Sequence, residues 1–123
     1  LQIKRNEKIT ILFYELGGSK SFVNIRKHYY KIPKNPKKAM IVFDYENLET
    51  LNDVKEWIEE LRYFIKESRL EVILVGNKID LKKQTSNFDE TIHYLKEEIR
   101  FTFIKMSART GQGKDMLLSH LLE

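Results

Sequence analysis

The sequence contains no cysteine. Within these 123 residues that excludes disulfides, thiol catalysis, cysteine-held metal and prenylation. No apolar run approaches the roughly 20 residues needed to span a bilayer, and no stretch reads as a signal peptide. Prolines number two and glycines five, and neither a linker, a repeat nor a low-complexity tract is visible. The three histidines, His28, His93 and His120, have no metal-ligand spacing and no adjacent nucleophile, so no catalysis is assigned to them. The phosphate-cradling loop G-x-x-x-x-G-K-[ST] is also missing. Its nearest lookalike is Gly111-Gln112-Gly113-Lys114-Asp115. Ala108 stands where the first glycine belongs, and Asp115 where a magnesium-binding hydroxyl belongs. This stretch reads as the turn into a last helix.

What is present fits one globular domain over residues 1–123, with 41% hydrophobic and 33% charged residues. A net charge of +4 suits acidic partners without demanding nucleic acid. Leu1 to Lys4 and Lys8 to Tyr14 predict an antiparallel hairpin around Arg5-Asn6-Glu7. Glu15 to Lys38 reads as loop with a helical turn through Phe22 to Tyr30. Ala39 to Phe43 reads as a buried strand. Helix is expected from Leu48 to Glu67, because Leu51, Val54, Trp57, Ile58, Leu61 and Ile65 recur at helical spacing, with Trp57 in the core. Leu70 to Val75 is the next strand. Ser86-x-x-Asp89 opens a helix carrying Ile92, Leu95 and Ile99. Phe101 to Met106 is the last strand and Lys114 to Leu122 the last helix. Strands alternating with helices imply an α/β fold, a mostly parallel sheet with helices on both faces and one antiparallel edge hairpin.

Two strand-like runs end in polar loops, which is where open α/β sheets bind ligands. Asn77-Lys78-Ile79-Asp80 follows the first and Ser107-Ala108 the second. These residue types fit a guanine ring. Asp80 can accept from the ring N–H and the exocyclic amine. Asn77 can tie the loop together and reach the other edge. The Lys78 stem can lie on the flat face, and the Ala108 N–H can donate to the guanine carbonyl. A base lacking the matching groups would leave these partners unpaired.

With those residues in view, the chain resembles a Ras-superfamily small GTPase of Rab or Arf type, with the three-layer P-loop-NTPase-like sheet that this implies. NKID resembles the NKxD base motif, Ser107-Ala108 the second base-contacting motif, and Glu15-Leu16-Gly17-Gly18 the DxxG loop. Ala39 to Asp44 resembles the family's central strand and Leu51 to Ile58 its following helix. The ELGG string also resembles that of dynein light intermediate chains, a weaker likeness. The family's first strand and P-loop would precede anything seen here, and with the intervening helix they need roughly 30 or more residues. The resemblance therefore describes an incomplete G domain, its N-terminal part either outside this sequence or lost.

The resemblance implies nucleotide binding through Asn77, Lys78, Asp80, Ser107, Ala108 and Gly18, with GTP or GDP and Mg2+ as cofactors where the N-terminal part is present. Glu15 matches the Asp that holds magnesium through a water. Glu is a methylene longer, and magnesium tolerates little misplacement. Ser19 stands where many members carry the water-orienting Gln, and its hydroxyl is too short for that task. GTPase activity is thus expected only if the P-loop is supplied from outside this sequence, and then slow. The implied role is a switch or a protein-interaction module in intracellular transport, cytoplasmic, with a protein effector or larger assembly as partner. The alternative is a non-hydrolysing pseudo-GTPase subunit of a larger assembly, such as a motor subunit resembling a dynein light intermediate chain. Nucleic-acid binding and direct membrane insertion are not expected.

The stretch Arg26 to Lys38 mixes bases with aromatics, which could offer charge and stacking to a nucleic acid. It reads instead as a solvated loop. Tyr29-Tyr30 matches a Tyr-Tyr pair that packs in Rab-like proteins. A protein-docking surface is expected over Gly17 to Tyr30 and the basic loop to Lys38.

Overall fold

The structure, a computed structural model, describes residues 8–66, 69–82 and 84–123. Its elements are α1 (Val23–Tyr29), β1 (Lys38–Asp44), α2 (Leu48–Asn52), α3 (Val54–Phe64), β2 (Glu71–Asn77), α4 (Ser86–Glu98), β3 (Thr102–Lys105) and α5 (Lys114–Leu122). Short 3₁₀ turns cover Lys20–Phe22 and Ile79–Leu81. The three strands lie in the order β1-β2-β3, all parallel.

Strand alternation sorts the side chains into two layers. On one face Phe43, Val72 and Leu74 pack against Leu51, Val54, Ile58 and Leu61 of α2 and α3 and Phe88, Ile92 and Leu95 of α4. On the other face Ile73, Val75 and Ile104 meet Leu117 of α5. The sandwich of helices, parallel sheet and helix is the expected fold class. A continuous buried run such as Val72 to Val75 is what a strand covered on both sides requires.

Several expectations need correction. Lys8 to Tyr14 forms no strand; the other arm and the turn, Leu1 to Glu7, lie outside the described residues. Its apolar side chains are largely open to solvent, Leu12 at 74% and Phe13 at 65%. Alternating sequence favours a strand, but a strand needs a neighbour to pair its backbone, and among the described residues this one has none. Met40 and Val42 of β1 are exposed, because the apolar cluster beneath α5 draws its strand residues, Ile73, Val75 and Ile104, from β2 and β3. The long helix is interrupted at Asp53 and stops at Phe64, with Ile65 extended at φ −108°; Glu67 lies outside the described residues. Asp53 keeps near-helical angles, φ −78° and ψ −11°, so the periodicity passes through the break unaltered.

Trp57 is not in the core. It sits half-buried on the flank of α3, beside the inward row of Val54, Ile58 and Leu61, with the Arg26 guanidinium 4.5 Å above its ring. The other elements follow expectation closely. α4 starts one turn position differently: Thr85 is the residue before its first turn, and its hydroxyl donates to Asp89 at 2.8 Å. The Gly111–Lys114 lookalike is the turn into α5, with φ +86° at Gly111 and +80° at Gly113.

Candidate functional site

The C-terminal ends of the three strands meet at one edge of the sheet. Ladder register sets Asp44 beside Asn77, and Met106 N–H donates to the Gly76 carbonyl at 2.8 Å. The loops after β2 and β3 are then bonded to each other. Ile79 N–H donates to the Met106 carbonyl at 3.2 Å. Ser107, fully buried, donates its hydroxyl to Asp80 Oδ1 at 2.8 Å and accepts from Thr110 N–H at 3.1 Å. Ala108 N–H donates to Asn77 Oδ1 at 2.9 Å. Four of the predicted residues, Asn77, Asp80, Ser107 and Ala108, thus form one cross-braced unit.

Two glycines permit this arrangement. A methyl group on Gly76 would lie 2.4 Å from the Tyr45 ring and 2.6 Å from the Phe43 ring, which pack across the strand beneath the loop. On Gly113 it would lie 2.2 Å from the Lys105 carbonyl oxygen. Gly113 also lies at positive φ, a region disfavoured for residues with a Cβ.

Lys78 takes the left-handed conformation, φ 66°. Its ammonium bonds Asp44 at 2.8 Å, with Glu46 at 3.4 Å. Both carboxylates raise the lysine pKa. Burial alone would raise the Asp44 carboxyl, but the Lys78 ammonium and the Glu46 N–H outweigh it and hold it below its ordinary range. Asp44 and Glu46 were not singled out in the sequence. The signal was an acidic residue at the end of the strand preceding NKID.

Asp80 is exposed, and its Oδ2 has no protein partner among the described residues; Oδ1 keeps a second lone pair. Asn77 Nδ2 is likewise unpartnered among them. These groups fit the ring N–H, the amine and the far edge of the base. The Ala108 N–H differs from expectation: it is engaged by Asn77, so contact with a guanine carbonyl requires sharing or exchanging that bond.

Glu15, Gly18 and Ser19 lie elsewhere; no hydrogen bond or ion pair joins them to the base-type loops among the described residues. Ser19 Oγ accepts from Ser21 N–H at 3.4 Å and contacts Ser21 Oγ at 2.8 Å, capping the 3₁₀ turn. Glu15 is exposed and makes no ion pair among the described residues. Among the described residues there is no group of three or more His, Asp or Glu placed to hold a metal ion.

The loop containing Gly17 to Ser19 is fastened by a residue that sequence reasoning placed in a solvated segment. Arg26 is buried, 4% exposed. Its Nε and Nη2 donate to Glu60 on α3 at 3.0 and 2.8 Å. Its Nη1 donates to the carbonyls of Gly17, at 2.9 Å, and Ser19. Tyr30 donates its hydroxyl to the same carboxylate and stacks on Phe64, centroids 5.3 Å apart. Burial would raise the Glu60 carboxyl, but the bonds from Arg26 and Tyr30 together hold it low. Burial, with Glu60 beside it, raises the Tyr30 hydroxyl.

A parallel sheet between helical layers, with base-type loops at its carboxyl edge, defines a Ras-like nucleotide-binding fold. The sequence profile of the Ras family matches residues 2–123, and the chain belongs to that family. It is 28% identical to the Ras-related protein Rab-39A of Homo sapiens, over 89% of this chain and 49% of that protein. It is 32% identical to the Ras-related protein RabJ of Dictyostelium discoideum, over 86% of this chain and 40% of RabJ. It is 29% identical to the Ras-related protein RABD2c of Arabidopsis thaliana, over 84% and 49% respectively. The chain thus spans about half or less of these relatives' length.

Proposed function

We propose that residues 1–123 are one partial G domain of a guanine-nucleotide-binding protein whose working output is to dock another protein in intracellular transport. The observation that carries the guanine reading is the pair of bonds from Ser107 to Asp80 and from Ala108 to Asn77, which tie the two loops together and leave, among the described residues, one Asp80 oxygen and the Asn77 amide nitrogen without a partner. Base contacts alone must offset the lost freedom of a triphosphate. Tight binding therefore requires phosphate contacts of the kind a glycine-rich loop supplies. GTP hydrolysis is slow, because Glu15 is a poor magnesium-linked residue and the Ser19 hydroxyl is spent on a cap. That same observation favours the second reading, a non-hydrolysing subunit of a larger assembly. No helix among the described residues is long and apolar enough to cross a membrane. On the separate ground of its family, we propose that the protein works in the cytoplasm, reaching membranes or cytoskeleton through partners.

The test is Asp80→Asn in the full-length protein. The substitution swaps an acceptor for a donor facing the guanine amine, so preference should move toward xanthine nucleotides, which carry a carbonyl there. Unchanged guanine preference in a competition assay would reject the base-site assignment.

A further inference from the structure

Four hydrogen bonds spend the Arg26 guanidinium inside the fold. Nε and Nη2 donate to Glu60 at 3.0 and 2.8 Å, and Nη1 donates to the carbonyls of Gly17, at 2.9 Å, and Ser19. Its flat face lies 4.5 Å from the centre of the Trp57 ring, and the residue is buried. An arginine that neutralises a phosphate has to reach it; this one is turned inward and held there.

Other contacts hold the same segment. Leu16 packs against the core between the sheet and α2, α3 and α4. A methyl group on Gly17 would lie 3.2 Å from the Phe22 ring, so that ring seats directly on the loop backbone. Phe22 N–H donates to the Ser19 carbonyl at 3.0 Å. Lys20 reaches Asp53 at 3.0 Å and Glu56 at 3.2 Å. These pairs are exposed and add little energy, but they draw the segment the same way. Gly18 alone is open: a methyl group there would meet nothing within 4 Å. A ligand can therefore approach Gly18 without displacing the loop.

In a nucleotide-operated switch, phosphate contacts order a segment and their loss releases it. A ligand moves such a segment only by its differential affinity for the two arrangements. Here the ordering contacts are internal. Releasing the loop would strip Arg26 of two acceptors in the protein interior, which is costly whether or not a phosphate is present. We propose that Arg26, tied to Glu60, is a latch that keeps the loop of Gly17 to Ser19 in one conformation whatever phosphate lies beside Gly18, so that this loop does not report the nucleotide state. The proposal rests on the G-domain reading only in naming phosphate as the signal that the loop ignores.

The test times trypsin cleavage after Lys20 in the full-length protein, nucleotide-free, with GDP and with a non-hydrolysable GTP analogue. Cleavage of a folded chain follows the population of the locally opened form. The three rates should agree within about twofold. Arg26→Met/Glu60→Leu, which removes the latch without leaving a buried charge, should speed cleavage after Lys20 about tenfold or more. Cleavage after Lys96 on α4 should stay unchanged, which separates release of the loop from unfolding of the domain. Fast cleavage of the nucleotide-free protein that slows when nucleotide is added would overturn the proposal. So would rates several-fold apart with GDP and the analogue, or a variant cut after Lys20 no faster than the native protein. Should the variant unfold as a whole, seen as faster cleavage after Lys96, the three states of the unaltered protein decide. A protein that binds no nucleotide fails the Asp80→Asn competition instead, and the latch then stands or falls on the cleavage rate of the variant.

Discussion

Arg26 and Glu60, 34 residues apart, meet in two parallel hydrogen bonds at 3.0 and 2.8 Å beneath the loop of Gly17 to Ser19. The pair joins α1, α3 and that loop into one body. Removing either partner leaves a buried charge, and that is costlier than never having had the pair. Arg26→Met should therefore destabilise the protein by about 3 kcal/mol, while Arg26→Met/Glu60→Leu should recover part of the loss. Urea denaturation of the two variants checks the order.

The same pair predicts an acid response. The Glu60 carboxyl is held below its ordinary value of 4.5 in the folded protein. Its stabilising contribution is thus whole above that value and is lost as pH falls through the lower folded value. Glu60→Gln should cost about 2 kcal/mol near neutral pH. The gap to the native protein should close as pH falls below 4.5. A gap unchanged down to the acid end of the unfolding series would contradict this.

Gly111 and Gly113 both sit at positive φ, but only Gly113 also abuts a carbonyl, that of Lys105. Gly111→Ala should cost about 1 kcal/mol from backbone strain alone. Gly113→Ala should cost clearly more and disturb the Ser107 loop beside it. Melting temperatures of the two variants would show the difference.

Beneath the other loop, Gly76→Ala would push a methyl group into the rings of Phe43 and Tyr45. A loss of about 1–3 kcal/mol is expected from overpacking. Tyr45 itself is fully buried, and its hydroxyl has no hydrogen-bond partner among the described residues. Tyr45→Phe should accordingly be neutral or stabilising, by about 1 kcal/mol. Thermal denaturation would refute both expectations if the order were reversed.

Restoring Asp at position 15 and Gln at position 19 in the full-length protein should raise GTP turnover, measured as phosphate release. Brisk hydrolysis by the unaltered protein without a partner would show that these two substitutions carry less weight than proposed.

The parts of this fold that obey local rules were visible in the sequence. Val72 to Val75 is a buried strand by composition, and Asn77 to Asp80 announces itself by residue type. What escaped depends on partners far away in the chain. Arg26 looks like one more cation in a basic stretch until Glu60 is folded against it. Trp57 lies at helical spacing with Val54 and Ile58, yet a rotation of part of a turn puts it under a guanidinium instead of over the sheet. The Lys8 to Tyr14 alternation encodes a strand, but alternation cannot supply the neighbour that a strand requires.

That uncovered face of β1 has a practical side. Met40 and Val42 stand in register with Ile73 and Val75, which α5 shields, yet they themselves meet solvent. Among the described residues, the outer edge of β1 also lacks a neighbouring strand. A bare sheet edge with apolar side chains above it is a template for further pairing. A concentrated preparation of these 123 residues should self-associate, and light scattering should fall when Met40 or Val42 is replaced by lysine. Buffers and concentrations chosen for binding work on this chain have to be set with that stickiness in view.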